Sequence, residues 1–430
     1  MVNPLYLFAA SLGVAFLLPL VDKLGRKLSL ALAYLTLAAW LAAGLSYLWA
    51  LSFGGAQATL FGTAGFEAPL AIMLRVGLAE AAGLSALSLV GLLAAISMRN
   101  KLRDSPIGGL MTLLMALMGM SGIVLTRDLF NLFVFLEISS IASYGLIAYD
   151  DRKAALRAGF KYMIAGGIAS ALYLIGVVYI YRFTGQLNLD LAASSPGLAG
   201  AAGSAAVFFL LAALLVELKP FPANGWAIDV YHAADPGVAG ILSGASATAL
   251  MLALWKILPL LGPAHLSLVA GSGLLSFVAG NLAGARQGNA RRMLGYSSVA
   301  QLGLVMAVIA LNELYGLGGE GFVYLTAGGL LLNHLLAKTG LFLITEKAPS
   351  GGTTALGGLL ALALVGLPPF PGFWAKWSLV QALVAKGQWA IIALILAASL
   401  VEAFYVLRWF GSLAKGKADE SQLEPRASLF

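Results

Sequence analysis

About thirteen apolar runs, each long enough to cross a bilayer and each followed by a short polar turn, limit what this chain can fold into more than any other feature. They begin with residues 1–21 and continue near 28–52, 70–98, 106–126, 129–149, 158–181, 203–221, 226–260, 264–284, 294–312, 321–345, 355–385 and 388–410. A hydrocarbon core of about 30 Å takes about 20 helical residues. The runs are continuous and rich in Leu and Ala, without the alternation of a membrane β-barrel, and in lipid a helix satisfies every backbone group within itself. Only 10% of the 430 residues are charged, against about a quarter in soluble domains, which excludes a soluble globule. The expected fold class is therefore an all-α polytopic membrane protein with about 13 transmembrane helices. The first run, Met1 to Val21, lacks a leading basic stretch and precedes Asp22-Lys23-Leu24-Gly25-Arg26-Lys27, which reads as a retained span instead of a cleaved signal.

Basic residues are shared unevenly among the connections. Those after odd runs hold fourteen: Lys23, Arg26, Lys27, Arg99, Lys101, Arg103, Arg152, Lys153, Arg157, Lys161, Arg286, Arg291, Arg292 and Lys347. Those after even runs hold three, Arg127, Arg182 and Lys386, and the tail adds Lys415, Lys417 and Arg426 to the heavier side. Because positive charge stays cytoplasmic, the expectation is an N-terminus outside and a C-terminus in the cytoplasm of a cell inner (plasma) membrane. Orientation accounts for the net charge of +7, and nucleic acid is not an expected partner. The chain has no cysteine and three scattered histidines, His232, His265 and His334. Disulfides, thiolate zinc sites and cysteine-held iron–sulfur clusters are thereby excluded, and no cofactor or redox chemistry is expected in this chain.

Six basic residues remain within or bordering spans, Arg75, Lys219, Lys256, Lys338, Lys376 and Arg408, with Glu80, Glu137, Glu217 and Glu402 as acidic counterparts. Each costs about 2.5–3.5 kcal/mol at membrane depth on insertion scales, which makes such groups functional candidates by default. Glu137 lies in Asp128-Leu-Phe-Asn-Leu-Phe-Val-Phe-Leu-Glu137, where it must find a cation or take up a proton. Burial and a nearby ammonium act on a carboxyl in opposite directions, so a movable lysine can switch it between holding and releasing a proton; the plainer reading is a static Glu–Lys tie. His334 and Lys338 stand four apart on one helical face, as a relay or, for His334, as a donor to a core carbonyl.

Lys219 precedes Pro220-Phe221-Pro222, and Lys376 follows Pro368-Pro369-Phe-Pro371-Gly372, so two spans are broken by proline with a lysine at each break. Glu217, two residues before Lys219, faces elsewhere, toward an additional partner or an adjacent subunit. Paired interruptions point to repeated transporter halves. The expected organisation is 1–105 as N-terminal helices 1–3, 106–262 as a first repeat, 263–412 as a second and 413–430 as a cytoplasmic tail.

At this point the sequence resembles the antiporter-like subunits shared by respiratory complex I, Mrp-type sodium/proton antiporters and membrane-bound hydrogenases, over roughly residues 100–410. The motifs are Asp128-Leu-Phe-Asn with Glu137; Lys219 followed by Trp226, Asp229, His232 and Pro236; Arg291-Arg292-Met-Leu-Gly-Tyr296-Ser297-Ser298-Val-Ala-Gln301-Leu-Gly303; and the Lys338 and Lys376 segments. The resemblance implies two inverted five-helix repeats, each with a broken helix, and a midplane chain of charges. It makes Glu137 and Lys219 the glutamate–lysine pair, Lys338 the central position with His334 one turn before it, and Lys376 the exit-side lysine. Lys256, Glu217, Asp229, His232 and Glu402 are secondary candidates. Where many relatives carry a lysine early in the eighth helix this chain has Thr248, with Lys256 two turns later, and Asn289 replaces a frequent aspartate, read as a surface change. The chain also stops one helix short of the family's fourteen.

The implied function is a subunit moving H+, or exchanging Na+ for H+, inside a larger membrane complex, with other membrane subunits and the bilayer as partners. It would belong to an ion-translocating oxidoreductase without catalysing a reaction itself. Two alternatives stand beside it: a proton-motive-force-coupled subunit of an inorganic-carbon uptake complex, and a non-transporting membrane anchor.

Overall fold

Helices account for the apolar runs, as the absence of water in a bilayer requires. The computed structural model describes residues 1–149, 152–345 and 350–415; Lys347, Lys417 and Arg426, which entered the charge argument, lie outside the described residues. Among the described residues, twelve helices are long and apolar enough to cross a membrane. The run expected at 355–385 is divided into two shorter helices.

The chain forms two compact units, residues 1–218 with 244–265, and residues 219–243 with 266–430. The first holds α1 (Leu5–Asp22), α2 (Arg26–Ser52), the strands β1 (Thr59–Gly62) and β2 (Met73–Val76), α3 (Leu78–Ser97) and α4 (Arg99–Asp104). It continues with α5 (Gly108–Leu125), α6 (Leu129–Ala148), α7 (Lys153–Thr184), α8 (Leu189–Ala193) and α9 (Ala201–Leu218). After α10 (Gly225–Ala233) and α11 (Pro236–Ile241) of the second unit the chain enters α12 (Ala247–Ile257) of the first. Then follow α13 (Pro263–Ala285), α14 (Ala290–Tyr315), α15 (Gly319–Val323), α16 (Gly329–Ile344), α17 (Gly351–Val365), α18 (Pro371–Ala385) and α19 (Trp389–Ala414). Wide π turns at Leu242–Ser246 and Tyr324–Gly328 join α11 to α12 and α15 to α16, giving the continuous spans Pro236–Leu260 and Gly319–Ile344.

Helix ends follow local chemistry. Asp128 caps α6 by accepting the Asn131 N–H at 2.7 Å, and Asn289 caps α14 through the Arg292 N–H at 3.1 Å. Gly185, Gly316 and Gly366 end α7, α14 and α17 at φ of 68°, 59° and 84°, the left-handed region glycine enters without penalty. One expectation fails at residues 70–98: Met73–Val76 pairs antiparallel with Thr59–Gly62 before α3 begins, so the fold carries a small hairpin among its helices. Glu80 explains the late start, because its carboxylate accepts the Gly77 N–H at 3.1 Å and fixes the N-terminus of α3 there.

In the second unit α14 is the central element, with 94% of its apolar window buried. It lies against α13 with backbones nearly touching. A Cβ built on Gly303 would meet the Gly273 carbonyl oxygen at 2.6 Å and the Ser276 Cβ at 2.7 Å. Gly303→Leu is therefore expected to force the two helices apart and lower unfolding stability by about 1–3 kcal/mol, read as a fall in melting temperature of the detergent-solubilised protein.

Candidate functional site

The expected ionisable side chains divide between the two units. In the first, Glu137 of α6 is half-buried and lines a small cavity with Glu217 of α9, Ser140, Gly166, Ser170 and Tyr173. Its volume is about 10 Å³, close to what one water needs. Glu217 is buried, and its Oε2 accepts the Tyr162 hydroxyl at 3.2 Å. Tyr162 in turn meets the Tyr144 ring edge-on at 4.7 Å. Helix α7 makes room for this cluster with Gly166, where a Cβ would lie 1.9 Å from the Tyr144 hydroxyl and 3.3 Å from Glu217. Glu217 thus lines the same cavity as Glu137. At the head of α6, outside the span, burial pushes the Asp128 carboxyl above its ordinary range, against the backbone hydrogen bonds it accepts.

In the second unit the chain leaves helical geometry at Lys219, whose φ of 54° is the only positive value at a non-glycine residue among the described residues. That conformation costs about 1–3 kcal/mol and persists only where the surroundings impose it. Lys219 is buried, and its Nζ lies 5.8 Å from the ring centroids of both Trp226 and Tyr231, within cation–π range. The Phe221 N–H donates to Ser276 Oγ at 2.8 Å, anchoring the break to α13.

Tyr231 stacks on Phe342 of α16 at 5.4 Å, and α16 carries His334 and Lys338 one turn apart. His334 Nε2 lies 3.0 Å from the Ser243 carbonyl oxygen, in the π turn that follows α11. A widened turn of this kind leaves a carbonyl for an outside donor, and such turns are frequent at functional positions. His334 Nδ1 is buried with no hydrogen-bond partner among the described residues. Lys338 is fully buried, and its Nζ donates to the Leu294 carbonyl of α14 at 3.3 Å. Lys376, at the start of α18, donates to the Val365 carbonyl at the end of α17 at 3.3 Å and lies 3.5 Å from Glu402 Oε2. Glu402, in the middle of α19, also accepts from Ser297 Oγ at 3.0 Å and from Gln301 Nε2.

The remaining candidates go elsewhere. Lys256 belongs to the first unit, where its buried Nζ donates to the carbonyls of Ile123 at 2.6 Å and Thr126 at 3.0 Å, closing the C-terminal end of α5. Thr248 donates to the Gly244 carbonyl one turn back at 2.9 Å and so is satisfied within its own helix. Lys256→Met would leave those α5 carbonyls unpaired and is expected to cost about 1–3 kcal/mol of stability, seen as earlier thermal unfolding. Asp229 pairs with Arg292 at 3.3 Å, and His232 Nδ1 lies 3.2 Å from Asn289 Oδ1. With Arg291 donating to the carbonyls of His232 and Ala234, they tie α10 to the head of α14. Asn289 is therefore a helix cap and a His232 partner, more than the surface change expected of it.

The family model described as NADH:quinone oxidoreductase/Mrp antiporter, TM, matches residues 126–401. The chain belongs to that family. The matched segment contains Glu137, Lys219, His334, Lys338 and Lys376, and Glu402 lies one residue beyond it. An NADH-quinone oxidoreductase subunit N from Desulforudis audaxviator is 35% identical over 320 residues, covering 69% of this chain and 62% of that relative. A Na(+)/H(+) antiporter subunit from Alkalihalophilus pseudofirmus is 32% identical over 319 residues, covering 68% of this chain and 63% of the relative. Both matches span less than two thirds of the relative's length. Among solved structures, a chain of the membrane-bound sulfane sulfur reductase, an archaeal respiratory membrane complex, superposes with a TM-score of 0.86 at 28% identity, covering 96% of this chain and 88% of that one. A chain of respiratory complex I from Thermus thermophilus gives a TM-score of 0.76 at 25% identity, covering 97% and 96%.

Tyr162 and the Ser243 carbonyl are parts of these clusters that the sequence did not point to, and Ser297 and Gln301 stood there only as members of a motif, with no role given to them. For Ser297 and Gln301 a signal existed, since two polar residues four apart share one face of an otherwise apolar helix.

Proposed function

We propose that this chain is the proton-translocating, antiporter-like subunit of a larger membrane complex of the complex I-like, hydrogenase-like or Mrp-like kind. Its cargo is H+, alone or exchanged for Na+, and its neighbours are other membrane subunits. The carrying groups are Glu137 in the first unit and Lys219, His334, Lys338 and Lys376 in the second; along the chain, Glu137 and Lys219 belong to the repeat 106–262 and the other three to the repeat 263–412. The observation that best supports this reading is the gathering of four buried or largely buried bases in one unit. Each is held by ring faces, a backbone carbonyl or one carboxylate. Buried charges of this kind cost several kcal/mol in a low-dielectric interior, and apolar residues of similar volume would serve a helical bundle at least as well.

In this reading a charge change delivered by a neighbouring subunit alters the protonation of Glu137, and Lys219 responds to that field. The strained backbone at Lys219 supports such a role, because strain of this kind is retained where the surroundings hold a functional conformation. The expected orientation remains N-terminus outside and C-terminus cytoplasmic in the inner membrane. Glu137→Gln in the intact complex, reconstituted in vesicles, is expected to lower coupled proton translocation by more than about tenfold, equivalent to about 1.4 kcal/mol of barrier, while assembly persists. Proton movement at the wild-type rate in that variant would overturn the reading.

A further inference from the structure

Glu402 is the one fully buried carboxylate of the second unit among the described residues, and two lysines bear on it. Its two oxygens are held by neutral donors of α14: Ser297 Oγ bonds Oε1 and Gln301 Nε2 bonds Oε2. The charged contact is the longest of the three. Lys376 Nζ stands 3.5 Å from Oε2, beyond the roughly 2.7–2.9 Å of a formed charge-assisted hydrogen bond. Lys376 has a second berth at 3.3 Å on the Val365 carbonyl, at the C-terminal end of α17, where the helix dipole favours a cation. Lys338 meets the same helix α14. Its carbonyl partner Leu294 precedes Ser297 by three residues, about 4.5 Å along the axis of α14, so Lys338 and Glu402 are held by the same helix within about one turn of each other.

One buried negative charge therefore faces two amines. It neutralises one ammonium, and a second would stay uncompensated in a low-dielectric interior. We propose that Glu402 is a positioning residue that allows only one of Lys338 and Lys376 to be charged at a time, and so sets the step between them. In that step an N–H bond breaks on Lys338 as one forms on Lys376, with the sum of the three groups staying at zero charge. Ser297 and Gln301 keep the carboxylate fixed without a lysine's help, which leaves Lys376 able to depart. This inference rests on the proton-translocating reading above and adds the carboxylate of the second unit to it.

The test uses the intact complex in vesicles, with proton translocation and assembly measured for each variant and Lys219→Ala run in parallel. Glu402→Gln is expected to lower translocation by more than about tenfold, Glu402→Asp to recover a substantial part by restoring the charge, and Lys376→Gln in the Glu402→Gln background to add less than about twofold, since the two act as one unit. Wild-type translocation in Glu402→Gln, an aspartate variant no better than the glutamine one, or losses that multiply would overturn the proposal. If Glu402→Gln does not assemble, Ser297→Ala decides: slowed translocation supports the proposal and an unchanged rate contradicts it. Retained translocation in Lys219→Ala would instead sink the functional reading beneath it, whereas loss there with a normal Glu402→Gln removes Glu402 alone.

Discussion

Lys219→Ala is expected to reduce coupled proton translocation by more than about tenfold while the complex still assembles and melts within a few degrees of the wild type. Both halves of that expectation follow from where the residue sits. Its backbone occupies the left-handed region at φ 54°, its side chain is buried, and its Nζ faces the Trp226 and Tyr231 rings. Burial of the charge opposes folding, so removing the ammonium relieves a cost as well as ending a cation–π contact of about 0.5–2 kcal/mol, while alanine keeps the backbone strain unchanged. A residue kept at that position for stability alone would be poorly chosen. Transport assayed with a trapped pH dye, beside a melting curve of the same preparation, separates the two effects.

Lys338→Met is expected to have an equally large effect on transport and to leave stability unchanged or raised. Lys338 is fully buried with one carbonyl contact at 3.3 Å, and Leu294 belongs to a continuous helix that can satisfy its own carbonyl. Methionine fills similar volume without a charge, so the melting temperature should hold or rise, by the equivalent of about 1 kcal/mol, while translocation falls by more than about tenfold. Lys256 supplies the contrast. It is buried to a similar degree, yet its ammonium bonds the end of α5, so its loss should cost stability. Comparing melting curves and transport rates for the two methionine variants distinguishes a lysine held for charge movement from one held for packing.

Much of the membrane architecture was legible because lipid leaves the backbone few options, and twenty apolar residues in a row have one common solution. The broken helices at Lys219 and Lys376 were legible because proline removes a donor, whatever surrounds it. Residues 59–76 were less so. Apolar residues before Gly77 read as the start of a span, but the Glu80 carboxylate fixes the helix N-terminus at Gly77 and leaves Met73–Val76 to pair as a strand. Side-chain destinations were harder still. Glu217 was placed away from Lys219 by helical geometry, yet its turn toward the Glu137 cavity depends on Gly166 of another helix. Lys256 looked like a substitute for a missing lysine because position along a helix was the only guide. Its actual acceptors come from α5, some 130 residues earlier in the chain.

The central claim is that these buried bases carry protons and are not relics of packing. Neutralising Lys219, Lys338 and Lys376 together in the intact complex, reconstituted in sealed vesicles and energised by the chemistry of its own copurified subunits, tests it most directly. The account predicts an assembled complex whose internal pH no longer changes on energisation. An assembled complex that still acidifies or alkalinises the vesicle interior at the wild-type rate would contradict it.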